Sequence, residues 1–399
     1  MTAVPVRVLA ACLLLAVAGC TAPVADQRAP VGDGDGAADA PRTTAAPTTG
    51  AGGAPEGVQV TGGDLEPDAN RTFERVQALV GAEYAGTRVF VRDLTQYKTA
   101  DYGAVPFFDA LGVPDPELDE GQPTGLTTLD ATVYVSPANA SAARVEQVLA
   151  HEFVHVAQLR GEIVPWFGAL SLSRVSLDER FARRALVEGG AVYVTDAYTR
   201  AHLPGERLQS ERVAAAYENG SAGNRVVWSQ YHFGVRYVGD AVDAPGDLPA
   251  VYEDAPETTE NVLHPGERDA VVPLDVDVEA GEYTRTESPT VRAGELLARI
   301  VLRDATNESV ATEAAAGWGN DRVVAFADGA DSHVAWVTRW DTTRDADEFA
   351  AAADALGDRP GVAHEYRVER VDDATVVVFA GDREFVDDAS ASGNVTVAA

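Results

Sequence analysis

The chain has 399 residues, too many for one small core, and 63 acidic against 31 basic side chains give it a formal net charge of -32. That balance excludes nucleic acid and anionic membrane surfaces as electrostatic partners, because both would be repelled. Lys98 is the only lysine, and Cys12 and Cys20 are the only cysteines.

The first twenty residues, MTAVPVRVLAACLLLAVAGC, carry one positive charge at Arg7, an apolar run from Val8 to Ala18, and then Gly19-Cys20. The run is shorter than the roughly 20 residues a bilayer span needs, and it has the layout of a signal peptide. Its end, VAGC, resembles a lipobox, which implies cleavage before Cys20, a lipid on Cys20, and a leader over residues 1–20. Cys12 then departs with the leader, so no intramolecular disulfide can form. Cleavage elsewhere would give a secreted chain with a free thiol instead. Residues 21–57 hold almost no large apolar side chains and are dense in Pro, Gly, Thr and Ala, so a disordered tether is expected there. The expected location is the outer face of the cell membrane.

Two elements should precede the first motif. DANRTFERVQALVGAEY spaces Phe73, Val76, Leu79 and Val80 as a helix does, and TRVFVRDL alternates as a strand does. DATVYVSP (Asp130–Pro137) is a second strand, rich in β-branched and aromatic residues. The following helix is expected over Ala140–Leu159, opened near Ser136 or Ser141 and closed at Gly161.

Within that helix LAHEFVHVAQ spells HExxH. His151 and His155 are offset by about 40° around the axis and about 6 Å along it, so both imidazoles can reach one ion. Glu152 is turned about 100° from His151, beside such an ion, where it can take a proton from water. A catalytic zinc uses three protein ligands and keeps one position open. No third histidine follows closely, since VAQLRGEIVPW comes after His155; a carboxylate on a later helix is the other solution. DERFARRALVEGGAVYVTDAYTR (Asp178–Arg200) supplies it, a mostly apolar helix with Glu188 in its interior. Gly189 and Gly190 behind it suit the close approach of another backbone or a ligand.

VLAHEFVHVAQ followed by RALVEGGAVYV resembles the gluzincin-type HExxH zinc metallopeptidases. The chain resembles more closely a group of exported metallopeptidase-like lipoproteins in which a Tyr-x-x-Gly segment and an sTEqvLHP segment come next. Here these read SQYHFGVRYV (Ser229–Val238) and ETTENVLHP (Glu257–Pro265), and the resemblance covers about residues 130–350. It implies one Zn2+ per chain on His151, His155 and Glu188, with Glu152 as general base, in a hydrolase acting on a peptide or protein. Many gluzincins place an acid four residues after the ligand glutamate to hold a histidine; that position is Val192 here, and Asp196 is the substitute candidate. His264 and Tyr231 are candidate donors to the oxyanion, although a tyrosine in an apolar stretch also suits a core and a histidine before proline also caps turns. The strand DATVYVSP is the candidate to pair with an extended substrate. The acidic, lysine-poor composition resembles haloarchaeal surface proteins, for which molar salt cuts the Debye length to about 3 Å.

From about Gly294 the pattern changes. GELLARIVLRDA, NESVATEAAAG and TRDADEFAAAADALG read as helices, whereas DRVVAFAD with SHVAWVTRW, and EYRVERVDDATVVVFAGD, read as hairpins. GWGNDR (Gly317–Arg322) reads as the turn joining helix to strand. The expected fold is α+β: a zincin-like metal domain over 58–290, then an α+β region over 291–399 made of a small antiparallel sheet with helices on one face. Two other readings stay open, a zinc-stabilised surface lipoprotein without turnover, and a binding or adhesive lipoprotein with a fortuitous HExxH.

Overall fold

The computed structural model of the chain describes residues 55–97, 100–161, 163–166, 175–286, 292–328, 331–392 and 395–399. The leader, Cys20 and all but the last three residues of the expected tether lie outside these. In chain order, β1 (Gln59–Thr61), α1 (Ala69–Val80), β2 (Arg88–Val91), α2 (Pro106–Ala110), β3 (Thr124–Thr127) and β4 (Val133–Ser136) lead into α3 (Ala142–Arg160) and α4 (Leu177–His202). Four helices follow: α5 (Gln209–Asn219), α6 (Ala222–Ala241), α7 (Pro249–Glu253) and α8 (Thr259–Leu263). Then come β5 (Asp277–Glu279), β6 (Thr284–Thr286), α9 (Glu295–Ala305), α10 (Glu308–Ala315), β7 (Trp318–Asp328), β8 (Asp331–Trp340) and α11 (Thr343–Ala353). The chain ends in β9 (Glu365–Asp372), β10 (Thr375–Gly381), α12 (Arg383–Asp388), β11 (Ser390–Ser392) and β12 (Thr396–Ala398). The architecture is mixed α and β, with three small sheets among the described residues.

The first sheet has the order β1-β2-β4-β3, with β1, β2 and β4 parallel and β3 antiparallel to β4. This corrects one expectation. β4, the DATVYVSP strand, is paired on both edges and has no ladder left for a substrate; β3 is the terminal strand on that side. On the sheet lie α1 and α3, whose Phe73, Val76, Val148 and Phe153 bury with Val89, Val133 and Val135 in one cluster. Phe73 meets Phe153 edge-on at 5.2 Å.

α4 is buried along most of its 26 residues, which explains why apolar side chains recur all round it. It crosses α6 at glycine against glycine. A Cβ on Gly189 would fall 2.1 Å from the Gly234 carbonyl carbon, and one on Gly234 would fall 2.0 Å from Ala185 O. Gly189 of the EGG triplet and the glycine of the Tyr-x-x-Gly segment are therefore the two halves of one close crossing.

Farther along, β6-β7-β8-β10-β9 form an antiparallel sheet. One face, Val323, Trp336, Val376 and Val378, packs with α9, α11 and α2. The other, Val324, Phe326, Val337, Val377 and Phe379, packs with Phe385 of α12 and Val397 of β12. Helices on one face alone were expected; the run Val376 to Ala380 is buried at every position, as a strand covered on both sides must be. Of GWGNDR only Gly317 lies in a turn; the rest is strand. Trp318 begins β7 opposite Trp340, with a bulge before Asn320. The Trp318 and Trp336 indole N–H groups donate to the buried Asp321 carboxylate at 3.1 Å each, which also accepts from Ala293 N and Gly294 N at 2.8 Å.

Described residues on either side of the expected boundary pack together. Phe107, Phe181, Val226 and Tyr231 share one apolar cluster with Leu297, Trp336, Phe349 and Val378. Asp178, at the start of α4, accepts from Thr259 N and Oγ1 and from Arg292 Nε, joining α4 to α8 and to the chain entering α9. Among the described residues no helix is long and apolar enough to cross a membrane.

Candidate metal centre

Ser141 opens α3 by accepting from Arg144 N, and Ser176 opens α4 by accepting from Glu179 N. Both helices are thus capped, and their packing sets His151 and His155 of α3 against Glu188 of α4. Glu188 Oε2 lies 3.5 Å from His151 Nε2 and 3.4 Å from His155 Nε2, and the three side chains are at most 2% exposed. None of these three atoms has a hydrogen-bond partner. One ligand atom from each residue lies within 4.8 Å of the others, the one such histidine, cysteine or carboxylate group among the described residues.

Three buried polar atoms without partners carry a desolvation cost that one divalent cation between them would remove. Two imidazole nitrogens and a carboxylate oxygen are a donor set suited to zinc. Burial pushes the Glu188 carboxyl up, but His155 and His151 beside it pull harder the other way and hold it at about 2, so it is ionised as a ligand must be. Burial pushes His155 down, yet the facing Glu188 carboxylate takes it net upward.

Glutamine amides orient both rings. Gln158 Nε2 donates to Val187 O and to the Tyr252 hydroxyl, each at 2.8 Å, which turns Oε1 to His155 Nδ1 at 2.6 Å. In the neutral ring Nδ1 is then the donor, and the Nε2 lone pair faces Glu188. Tyr252 reaches Gln158 because residue 190 has no side chain: a Cβ there would sit 2.2 Å from the tyrosine oxygen. His151 Nδ1 meets Gln209 Oε1 at 2.9 Å.

Asp196 does not hold a histidine, which corrects the expectation for it. It accepts from Gln209 N at 2.8 Å, from Ser210 N at 3.2 Å and from Ser210 Oγ, so it caps α5, whose Leu208 offers no side-chain cap. Its link to His151 runs through Gln209.

Glu152 is fully buried and turned towards β3. Thr127 Oγ1 donates to its Oε2 at 2.6 Å, and Oε1 would lie 2.2 Å from a Cβ on Gly125. His151 and Glu152 line a cleft of about 430 Å³ whose far wall includes Trp228 and Tyr231 of α6. The Tyr231 ring is 6.2 Å from the His151 ring. His264 does not line this cleft. The turn after α8 carries it instead to Glu295 of α9, whose two carboxylate oxygens are each 3.0 Å from Nε2, so its candidacy as an oxyanion donor is withdrawn.

Sequence reasoning assigned no role to Gln158, Gln209, Thr127, Gly125 or Tyr252. Only Gln158 carried a signal, as the last letter of LAHEFVHVAQ. A family model described as a domain of unknown function (DUF8575) matches residues 282–395. Neither curated proteins nor solved structures gave a match. The matched stretch carries the five-stranded sheet and stops short of every residue of the metal centre.

Proposed function

We propose that this chain is a cell-surface zinc peptidase that hydrolyses peptide bonds with Glu152 as general base. The reading rests on the convergence of His151 Nε2, His155 Nε2 and Glu188 Oε2, buried and without partners, beside a carboxylate at the wall of a cleft. Zn2+ on those three residues would supply Lewis acidity to a scissile carbonyl and make water a better acid. Thr127 anchors Glu152 Oε2; Oε1, over Gly125, is the oxygen to which we assign the proton taken from water and delivered to the leaving amine. Tyr231, across the cleft, is the assigned donor to the oxyanion. The terminal strand β3 is the ladder we assign to an extended substrate.

Export and lipid attachment at Cys20 belong to the same proposal, as does the halophilic reading of the -32 net charge. Elemental analysis of the chain purified in molar salt tests the metal: about one zinc per chain is expected, lost in His155→Ala and Glu188→Ala. A peptide-library digest tests the chemistry, with cleavage lost in Glu152→Gln while zinc stays. Zinc without Glu152-dependent cleavage would leave a zinc-stabilised lipoprotein, and no zinc in the parent would make the HExxH coincidental.

A further inference from the structure

The chain carries two acids for every base, yet its cleft wall holds three arginines, Arg144, Arg207 and Arg212, against three acids, Glu117, Asp119 and Glu152. Arg207 is paired with Glu211 and Arg212 with Glu206. Arg144 makes no ion pair among the described residues. Its one side-chain hydrogen bond among the described residues runs from Nη1 to Gln147 Oε1 at 2.7 Å, and its Nε is buried without an acceptor. Gln147 is itself fully buried and pinned, its Nε2 donating to Thr199 Oγ1 at 3.0 Å and to Arg207 O at 2.8 Å, so the amide can only present its oxygen to Arg144. The guanidinium is therefore held in place by a neutral group, with no ion pair of its own among the described residues. Burial first, and then Arg212 nearby, push it down to about 10 against a weaker upward pull from Glu206, which leaves it cationic at neutral pH. A half-buried cation beside a second cation is costly; Glu206, already paired with Arg212, offsets part of that cost, and among the described residues no carboxylate lies within ion-pair reach of Arg144 itself.

We infer that Arg144 is a specificity residue that binds a carboxylate of the substrate. The inference rests on the peptidase reading and names the substrate class: peptides with an aspartate or glutamate side chain, or a free terminal carboxylate, near the cut. Position follows from the helix. Arg144 precedes His151 by seven residues, nearly two turns, so it lies on almost the same face about 10 Å along the axis. An extended peptide advances about 3.3 Å per residue, which places the carboxylate two or three residues from the scissile bond. Guanidinium and carboxylate match as a two-bond fork, so lysine would be an incomplete replacement.

The test uses the full chain, zinc-loaded, at one fixed molar salt concentration, since screening changes with salt. An internally quenched peptide that the parent cleaves is resynthesised with Asp or Asn at each position within three residues of the cut, with a free or an amidated C-terminus. A preference of at least ~10-fold in kcat/KM for the carboxylate form is expected at one position. It should fall to near unity in Arg144→Gln, be partly kept in Arg144→Lys, and persist in Arg344→Gln, an equal charge change at the exposed Arg344–Glu348 pair. Zinc content and melting temperature show that each variant folds. Loss of the preference on amidation assigns it to the terminal carboxylate, and loss on Asp to Asn assigns it to a side chain; both support the inference. Cleavage without any preference overturns it and leaves the peptidase reading standing. If no peptide is cleaved that reading fails, and binding of fluorescein-labelled Asp and Asn decapeptides to the Glu152→Gln chain decides. Tighter binding of the Asp peptide, lost in Arg144→Gln, supports the carboxylate site; equal or no binding overturns it.

Discussion

Replacing Gly125 by alanine probes the base without touching it. The added carbon would stand 2.2 Å from Glu152 Oε1, 2.6 Å from Cγ and 2.7 Å from Cδ, where carbon contacts settle at about 3.5 Å. Something must move by about 1 Å. β3 is laddered to β4 from Thr124 to Thr127, so the backbone resists, and the carboxylate is what yields. Moving it breaks the 2.6 Å bond from Thr127 Oγ1, a charge-assisted bond worth about 1.5–3 kcal/mol. Overpacking adds about 1–3 kcal/mol. We expect Gly125→Ala to unfold about 2.5–6 kcal/mol more readily in a denaturant titration, and to bind the proposed zinc as the parent does because His151, His155 and Glu188 do not shift. A base misplaced by about 1 Å should also cost about 100-fold in kcat/KM on any peptide the parent cleaves. Stability and cleavage both at parental levels would refute the placement of Glu152 against β3.

Gln158→Leu should weaken zinc about 10–100-fold, and Tyr252→Phe less, read by competition with a chelator, because His155 Nδ1 loses its acceptor in the first case and only the support of that acceptor in the second. Gly189→Ala sets a Cβ against the backbone of Gly234, which no rotamer relieves, so a loss of about 3 kcal/mol or more is expected in denaturant titration; parental stability would mean the helices slide apart freely. Glu260 is pushed up to about 8, first by burial and then by Glu295 and Asp341. Its folded value lies above its unfolded one, so the stability it contributes is whole below about 4.5 and drains away as pH rises to about 8. The melting temperature of Glu260→Gln should therefore gain on the parent between pH 5 and pH 8, and a constant difference would contradict the assignment.

Length made α3 and α4 readable: α3 is periodic and opened by a serine, α4 is long and mostly apolar, and each holds carboxylate or imidazole side chains where only apolar ones belong. His151, His155 and Glu188 were legible for that reason. β3 was not, since Thr124 to Thr127 are all buried and show no alternation. Gln209 stands 58 residues from His151, and no local pattern announces a partner at that range. A histidine before proline says that the chain turns but not which way, and His264 turns to Glu295. Two glycines around Trp318 looked like a turn; Gly317 is in one, at φ 73°, whereas the smallness of Gly319 serves a strand, since a Cβ there would fall 2.9 Å from Val272 and 3.0 Å from Asp341.

The apolar cluster that runs from Phe107 and Tyr231 to Trp336 and Val378 ties the two halves of the chain into one cooperative unit. Phe107 meets Trp336 edge-on at 5.3 Å, so the sheet cannot melt while α2 keeps its packing. Melting α4 strips Phe181 and Leu177 from the same cluster. An ion bound between α3 and α4 then resists the unfolding of β8 and β10 as firmly as that of its own helices. Conversely, a cavity cut at Trp336 would be felt as weaker hold on the ion, with every ligand still in its place.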